Sequence, residues 1–185
     1  ELHGMTLGVY ALGNIGACTA RVGKAFGMNV TCWGREASRA KAREAGYDMP
    51  ESREAFFESA DIISIHLPLN KDTRGIITAA DLARMKPTAL LVNSSRAPLI
   101  QEGALVEALR KGRPGFAAVD VYEDEPVLDG KHPLLSMPNA LCTPHLGYVV
   151  QNVYERMYSM VTDSILGFAA GKPVNVINPE ALAKA

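Results

Sequence analysis

Three side chains carry the plainest chemistry in this sequence: Arg96, Glu125 and His145. A carboxylate beside an imidazole is a proton-transfer device, and a guanidinium nearby is a clamp for a carboxylate. Together they point to acid/base work on a small anionic acid. Taken singly, each residue type is more often an ordinary ion pair or cap. Their shared placement reverses that balance, because each stands just past a short apolar run that reads as a buried strand: Ala89 to Asn93, Gly115 to Val119 and Ala140 to Thr143.

The elements that would position them follow a regular rhythm. Further strands are expected at Thr6 to Tyr10, Met28 to Trp33 and Asp61 to His66, with helices at Asn14 to Phe26, Arg53 to Ser59, Ala79 to Met85 and Glu102 to Lys111. Strands alternating with helices are the pattern of a parallel sheet wound by crossover connections. Gly27 and Gly112 stand where C-terminal helix caps would. A last helix, Gln151 to Ala170, spaces Val153, Met157, Val161, Ile165 and Phe168 by fours and threes, so one apolar face runs its length. An extended tail from Lys172 to Ile177 follows it.

At 185 residues, nearly half of them apolar, the chain is long enough for one α/β domain with a real core. The formal charge of −1 gives no electrostatic reason to expect nucleic acid. No stretch is apolar enough to suggest a membrane span. Cys18, Cys32 and Cys142 are odd in number and widely spaced, which predicts neither a disulfide framework nor a metal site and suits a reducing cytoplasm. The chain opens on Glu1 almost directly into a strand, and so reads as a fragment or as a chain whose beginning is not shown.

The segment Leu7 to Gly16 reads strand, turn, helix, with Gly13 and Gly16 at the second and third positions of a G-x-G-x-x-G. Gly13 would let the backbone approach a pyrophosphate at the helix N-terminus, and Gly16 would let helix pack on strand. Ala11 replaces the first glycine, which strains the turn if its φ is positive and is harmless if negative. At the end of the second strand, an acidic residue would mark NAD. Gly34 stands there instead, followed by Arg35, Ser38 and Arg39. The expectation is NAD or NADP, with NADP favoured, because the two arginines could pair with a 2′-phosphate. The plain alternative is that they are solvated helix-start charges. The fold class is therefore α/β, a Rossmann-type doubly wound parallel sheet of about six strands with flanking helices.

From Leu7 to about Asn178 the chain resembles the D-isomer-specific 2-hydroxyacid dehydrogenases. The landmarks are the glycine turn, His66-Leu67-Pro68-Leu69 with Thr73-Arg74-Gly75, Asn93-Ser94-Ser95-Arg96, Asp120 to Pro126, and Thr143-Pro144-His145-Leu146-Gly147. The resemblance implies that Arg96 binds substrate, that Glu125 partners His145, and that His145 is the acid/base. It also implies that Asp120 receives the nicotinamide carboxamide and that Asn14, Ile15, Pro68, Ser94, Ser95 and Gly147 line the cofactor. Two positions depart from the pattern: Ala97 stands where glycine is common, and Tyr148 where a small residue is. Tyr148 either alters the pocket beside His145 or packs on the last helix. His66 is expected to be structural or to line the cofactor's adenine side, and His3 and His132 to be loop residues without a role.

On this resemblance residues 1–148 form the dinucleotide-binding domain. Residues 149–185 form a return helix and the start of the C-terminal part of a substrate domain whose N-terminal part is absent. The chain is thus expected to bind a dinucleotide, to turn over 2-hydroxy or 2-oxo acids poorly by itself, and to form a homodimer. A second class is a dinucleotide-sensing, corepressor-like binding module. Phosphite dehydrogenase shares the Arg, Glu and His arrangement, whereas formate dehydrogenases commonly carry Gln at the position of Glu125.

Overall fold

The structure, a computed structural model, describes residues 1–184. Six parallel strands form one sheet: β1 (Thr6–Tyr10), β2 (Asn29–Trp33), β3 (Ile62–Ile65), β4 (Leu90–Asn93), β5 (Phe116–Val119) and β6 (Ala140–Cys142), in the order β2-β1-β3-β4-β5-β6. Helices α1 (Asn14–Ala25), α2 (Glu36–Glu44), α3 (Arg53–Ser59), α4 (Ala79–Arg84) and α5 (Ala104–Arg110) fill the crossovers, and α6 (Gln151–Ala169) follows β6. This is the doubly wound α/β architecture expected from the sequence, with several elements a residue or two shorter at their ends.

A parallel sheet covered on both faces needs apolar side chains pointing both ways. In β1, Leu7 and Val9 join Ala20 of α1 and Val30 of β2 in one cluster, while Tyr10 joins Phe56 and Phe57 of α3 in another. Alternation along the strand makes these the two faces of the sheet. Helix boundaries have local causes. Ser52 caps α3 by accepting from Ala55 N at 3.0 Å, and Thr78 and Asp81 form a reciprocal capping box at α4. Gly27 and Gly112, at φ 75° and 74°, supply the left-handed turns after α1 and α5.

One helix was not expected. Between β2 and α3 the sequence Glu36 to Glu44 is mostly charged and alanine, and Ala42 alone is buried, so the apolar period that announces a helix is missing. The chain runs from β1 outward to β2, then returns to β3 on the other side of β1. At such a reversal the connecting helices diverge to opposite faces, which opens a crevice at the C-terminal strand ends.

Two compact units part between His145 and Leu146. The second carries α6, none of whose residues is buried. Phe168, on its apolar stripe, is 76% exposed. Among the described residues no helix is long and apolar enough to cross a membrane.

Candidate active site

The turn from β1 into α1 is tight. Ala11 takes φ 76°, so the strained alternative holds, at a cost of about 1 kcal/mol for a residue with a Cβ. Its amide donates to Trp33 O at 2.8 Å. A Cβ on Gly16 would fall 2.2 Å from Ala11 O, so only glycine lets α1 start this close to the strand. Gly13 differs: a Cβ there would meet nothing within 4 Å. It faces open space as the N-cap of α1, and no side chain caps that helix. The first amides of α1 are therefore open to an anion.

Behind the turn, the Tyr10 hydroxyl accepts from Arg53 Nη1 at 2.8 Å, and Arg53 forks onto Asp81 through Nε and Nη2, each at 2.8 Å. The Asp81 side chain is only 9% exposed. Burial works to raise its pKa, but the Arg53 hydrogen bonds and the Thr78 amide and hydroxyl outweigh it and hold the carboxyl below its usual range.

In front of the turn lies a cleft of about 600 Å³. It brings together Gly13, Asn14, Ile15, Pro68, Ser94, Ser95 and Arg96, all expected there, with His66, for which lining was one of two expectations, and adds Leu67 and Leu69. Burial lowers the pKa of His66, and its Nε2 lies 3.0 Å from Ser64 Oγ, so a neutral ring lines the wall. Asn93, fully buried at the end of β4, fixes the next turn. Its Oδ1 accepts from Ser95 N and its Nδ2 donates to Arg96 O, both at 3.0 Å. Ser95 Oγ donates to Ile65 O at 2.7 Å, tying the β3 and β4 ends together. Arg96 stands exposed at the cleft, its Nη1 donating to Ser95 O at 2.6 Å.

Glu125 and His145 meet at the ends of β5 and β6, with Nδ1 2.5 Å from Oε2. Tyr122 N donates to Glu125 Oε1 at 2.7 Å. Burial pushes the Glu125 pKa up, yet the His145 hydrogen bond, the Tyr122 amide and the charges of His145 and Arg96 together bring it below its usual range. That Arg96 contributes places all three predicted side chains in one field. His145 itself sits at φ 57°, a left-handed backbone that histidine seldom adopts. Asp120, buried at the end of β5, accepts a short hydrogen bond from the Thr143 hydroxyl.

At the end of β2, Gly34 is followed by exposed Arg35, which reaches Asp72 only at 3.6 Å. The Arg39 guanidinium lies 5.1 Å from the centre of the Trp33 ring, and its Nε is buried without a protein partner. Arg39 is therefore packed rather than a freely solvated charge. Gly147 lies in the second unit, where Tyr148 stacks on Tyr154 of α6 at 6.0 Å, the packing alternative for that residue. Ala97 begins a short 3-10 turn and needs no glycine. His132, expected to have no role, is engaged on both ring nitrogens, by Leu134 N and Glu123. Nothing in its sequence neighbourhood signals this, since both partners are set by loop geometry.

The residues fit a dinucleotide: an uncapped helix start, open space above Gly13, and Gly16 wedged beneath Ala11. Residues 1–147 match the D-isomer specific 2-hydroxyacid dehydrogenase, NAD binding domain family. Glyoxylate reductase of Aeropyrum pernix is 41% identical over 181 residues, which is 97% of this chain and 53% of that protein. D-3-phosphoglycerate dehydrogenase of Bacillus subtilis is 38% identical over 185 residues, all of this chain and 35% of that protein. The crystal structure of phosphoglycerate oxidoreductase from Vibrio cholerae O395 superposes with a TM-score of 0.88 at 49% identity, covering 92% of this chain and 54% of that one. The chain thus spans about half the length of the Aeropyrum relative and about a third of the Bacillus one. It belongs to the D-isomer specific 2-hydroxyacid dehydrogenases and contains the NAD binding domain of that family.

Proposed function

We propose that this chain supplies the cofactor domain and the acid/base set of an enzyme that interconverts a small 2-oxo acid and its D-2-hydroxy acid. The observation that carries the reading is the Glu125 and His145 pair on adjacent strand ends, within the field of Arg96. When bound, the nicotinamide supplies the hydride in reduction and takes it in oxidation. His145 gives its proton to the substrate carbonyl oxygen in reduction and recovers it in oxidation. Glu125, held ionised, orients the imidazole and stabilises its charged form. Arg96 pairs with the substrate carboxylate and fixes its angle of approach. Asn14, Ile15, Gly13, Pro68, Ser94 and Ser95 hold the dinucleotide, and Asp120, braced by Thr143, accepts from its carboxamide.

The relatives named above suit glyoxylate and short hydroxylated 2-oxo acids as substrates. The test is a panel of 2-oxo acids with NADH and NADPH on the full-length protein. Reduction of glyoxylate or hydroxypyruvate is expected, and no turnover of any 2-oxo acid refutes the reading. The 185-residue chain alone is expected to bind dinucleotide with little turnover. Residues 1–148, with Gly147 among the cofactor-lining residues, act as the dinucleotide domain and 149–185 as part of the substrate domain. NADP is accepted ahead of NAD, because Gly34 and not a carboxylate stands at the end of β2, with Arg35 and Arg39 after it. Clearly tighter NAD binding in parallel titrations overturns that preference. Unpaired Cys18, Cys32 and Cys142 suit a reducing cytoplasm. The exposed apolar residues of α6 support a homodimer, which sedimentation of the purified protein tests.

A further inference from the structure

The loop that delivers Glu125 runs between Tyr122 and Leu134, both buried, and is otherwise mostly open to solvent. Val127 packs on the core, and His132 is the other residue within the loop that is not exposed. The Nδ1 of His132 accepts the Leu134 amide at 3.3 Å, and its Nε2 lies 2.9 Å from Glu123 Oε2. With Nδ1 accepting, Nε2 is the donor, so a neutral ring satisfies both contacts. The ring also stands edge-on to Tyr122, with centroids 5.0 Å apart and planes at 70°.

Tyr122 in turn reaches Glu125 and the segment that leads into His145. Its amide donates to Glu125 Oε1 at 2.7 Å, and its hydroxyl donates to Thr143 O at 3.0 Å. Thr143 precedes Pro144 and is therefore already restricted to extended backbone. Its amide donates to Val119 O and its hydroxyl to Asp120. Anchoring its carbonyl as well leaves the segment entering His145 little freedom.

We infer that Tyr122 and His132 form a bracket across the β5 and β6 loops that holds Glu125 and His145 at hydrogen-bonding distance, making both positioning residues for the proton transfer. The inference rests on the reading of His145 as the acid/base. Neither residue lines the dinucleotide cleft, so the bracket acts first on the proton transfer.

The carboxyl titration of Glu125, followed by carbon-13 NMR on the 185-residue chain, tests this directly. Tyr122→Phe keeps the buried ring and removes one hydroxyl; His132→Ala removes the ring. Both are expected to move the Glu125 midpoint up toward the ordinary carboxylate range. His132→Gln, whose amide can still donate to Glu123, is expected to restore it in part. In the full-length protein the first two variants lower kcat by about ten- to a hundred-fold, a larger change than in the KM for dinucleotide. An unmoved Glu125 midpoint in the folded variants, or an unchanged kcat, overturns the bracket. The titration needs no turnover, so a failure of the oxo-acid reading registers separately.

Discussion

Of the residues with a side chain that take the left-handed region, two stand just past strands of the sheet: Ala11 after β1 and His145 after β6. Their surroundings differ. Ala11 is buried, sits over Gly16 and is backed by Tyr10 and the Arg53 and Asp81 pair, and its methyl has no chemistry. His145 is partly exposed, backed by Thr143 and Glu125, and its side chain is the candidate proton carrier. On the proposed function, the same backbone strain is incidental at the first corner and tied to the proton carrier at the second.

Glycine substitution separates the two. His145→Gly is expected to lower turnover of the full-length protein by about 10²- to 10⁴-fold. Its unfolding free energy should nevertheless exceed that of His145→Ala by about 1 kcal/mol, because glycine accepts φ 57°. Equal stabilities would remove strain from the account of this corner. Next in size is Asp81→Asn, which strips the charge partner from Arg53 and is expected to destabilise by about 3–5 kcal/mol in urea unfolding. Gly16→Ala drives a methyl onto Ala11 O and is expected to lose about 1–3 kcal/mol along with dinucleotide affinity. Retained affinity would show that the first corner can re-form in another way. Ala11→Gly should gain up to about 1 kcal/mol with dinucleotide binding intact.

The smallest effect is in the acid limb of stability. The folded pKa values of Asp81 and Glu125 lie below their ordinary ones. Their contribution is therefore full above the ordinary carboxylate range and lost as pH falls through the folded values. Stability measured against pH in Asp81→Asn should show a flatter acid limb than in the parent. Glu125→Gln should flatten it less, because Glu125 is more exposed and more screened.

The two corners were unequally legible in the sequence. Strands of a parallel sheet are short apolar runs, so β1 to β6 could be read with the residues that follow them, which is why Arg96, Glu125 and His145 stood out; β6, expected to be buried, is instead an edge strand with Leu141 67% exposed. Gly16 was readable because its spacing from Gly13 belongs to a helix start. The φ of Ala11 was not, since alanine carries no mark of the conformation it is forced into. The charged helix α2 lacked an apolar face to announce it. Arg53, Asp81, Tyr122 and His132 owe their roles to partners brought together by the fold, from residues 43, 28 and 21 positions apart in the longer links.

Trp33 is the chain's one tryptophan, and it lies at the end of β2 with the Arg39 guanidinium 5.1 Å from its ring centre. Indole emission shifts with nearby charge, and reduced nicotinamide absorbs in the band where indole emits. The 185-residue chain therefore carries a built-in, single-site fluorophore. Quenching and energy transfer from this one ring give an optical titration of cofactor arrival without any label, and Arg39→Ala would recolour that signal at its source.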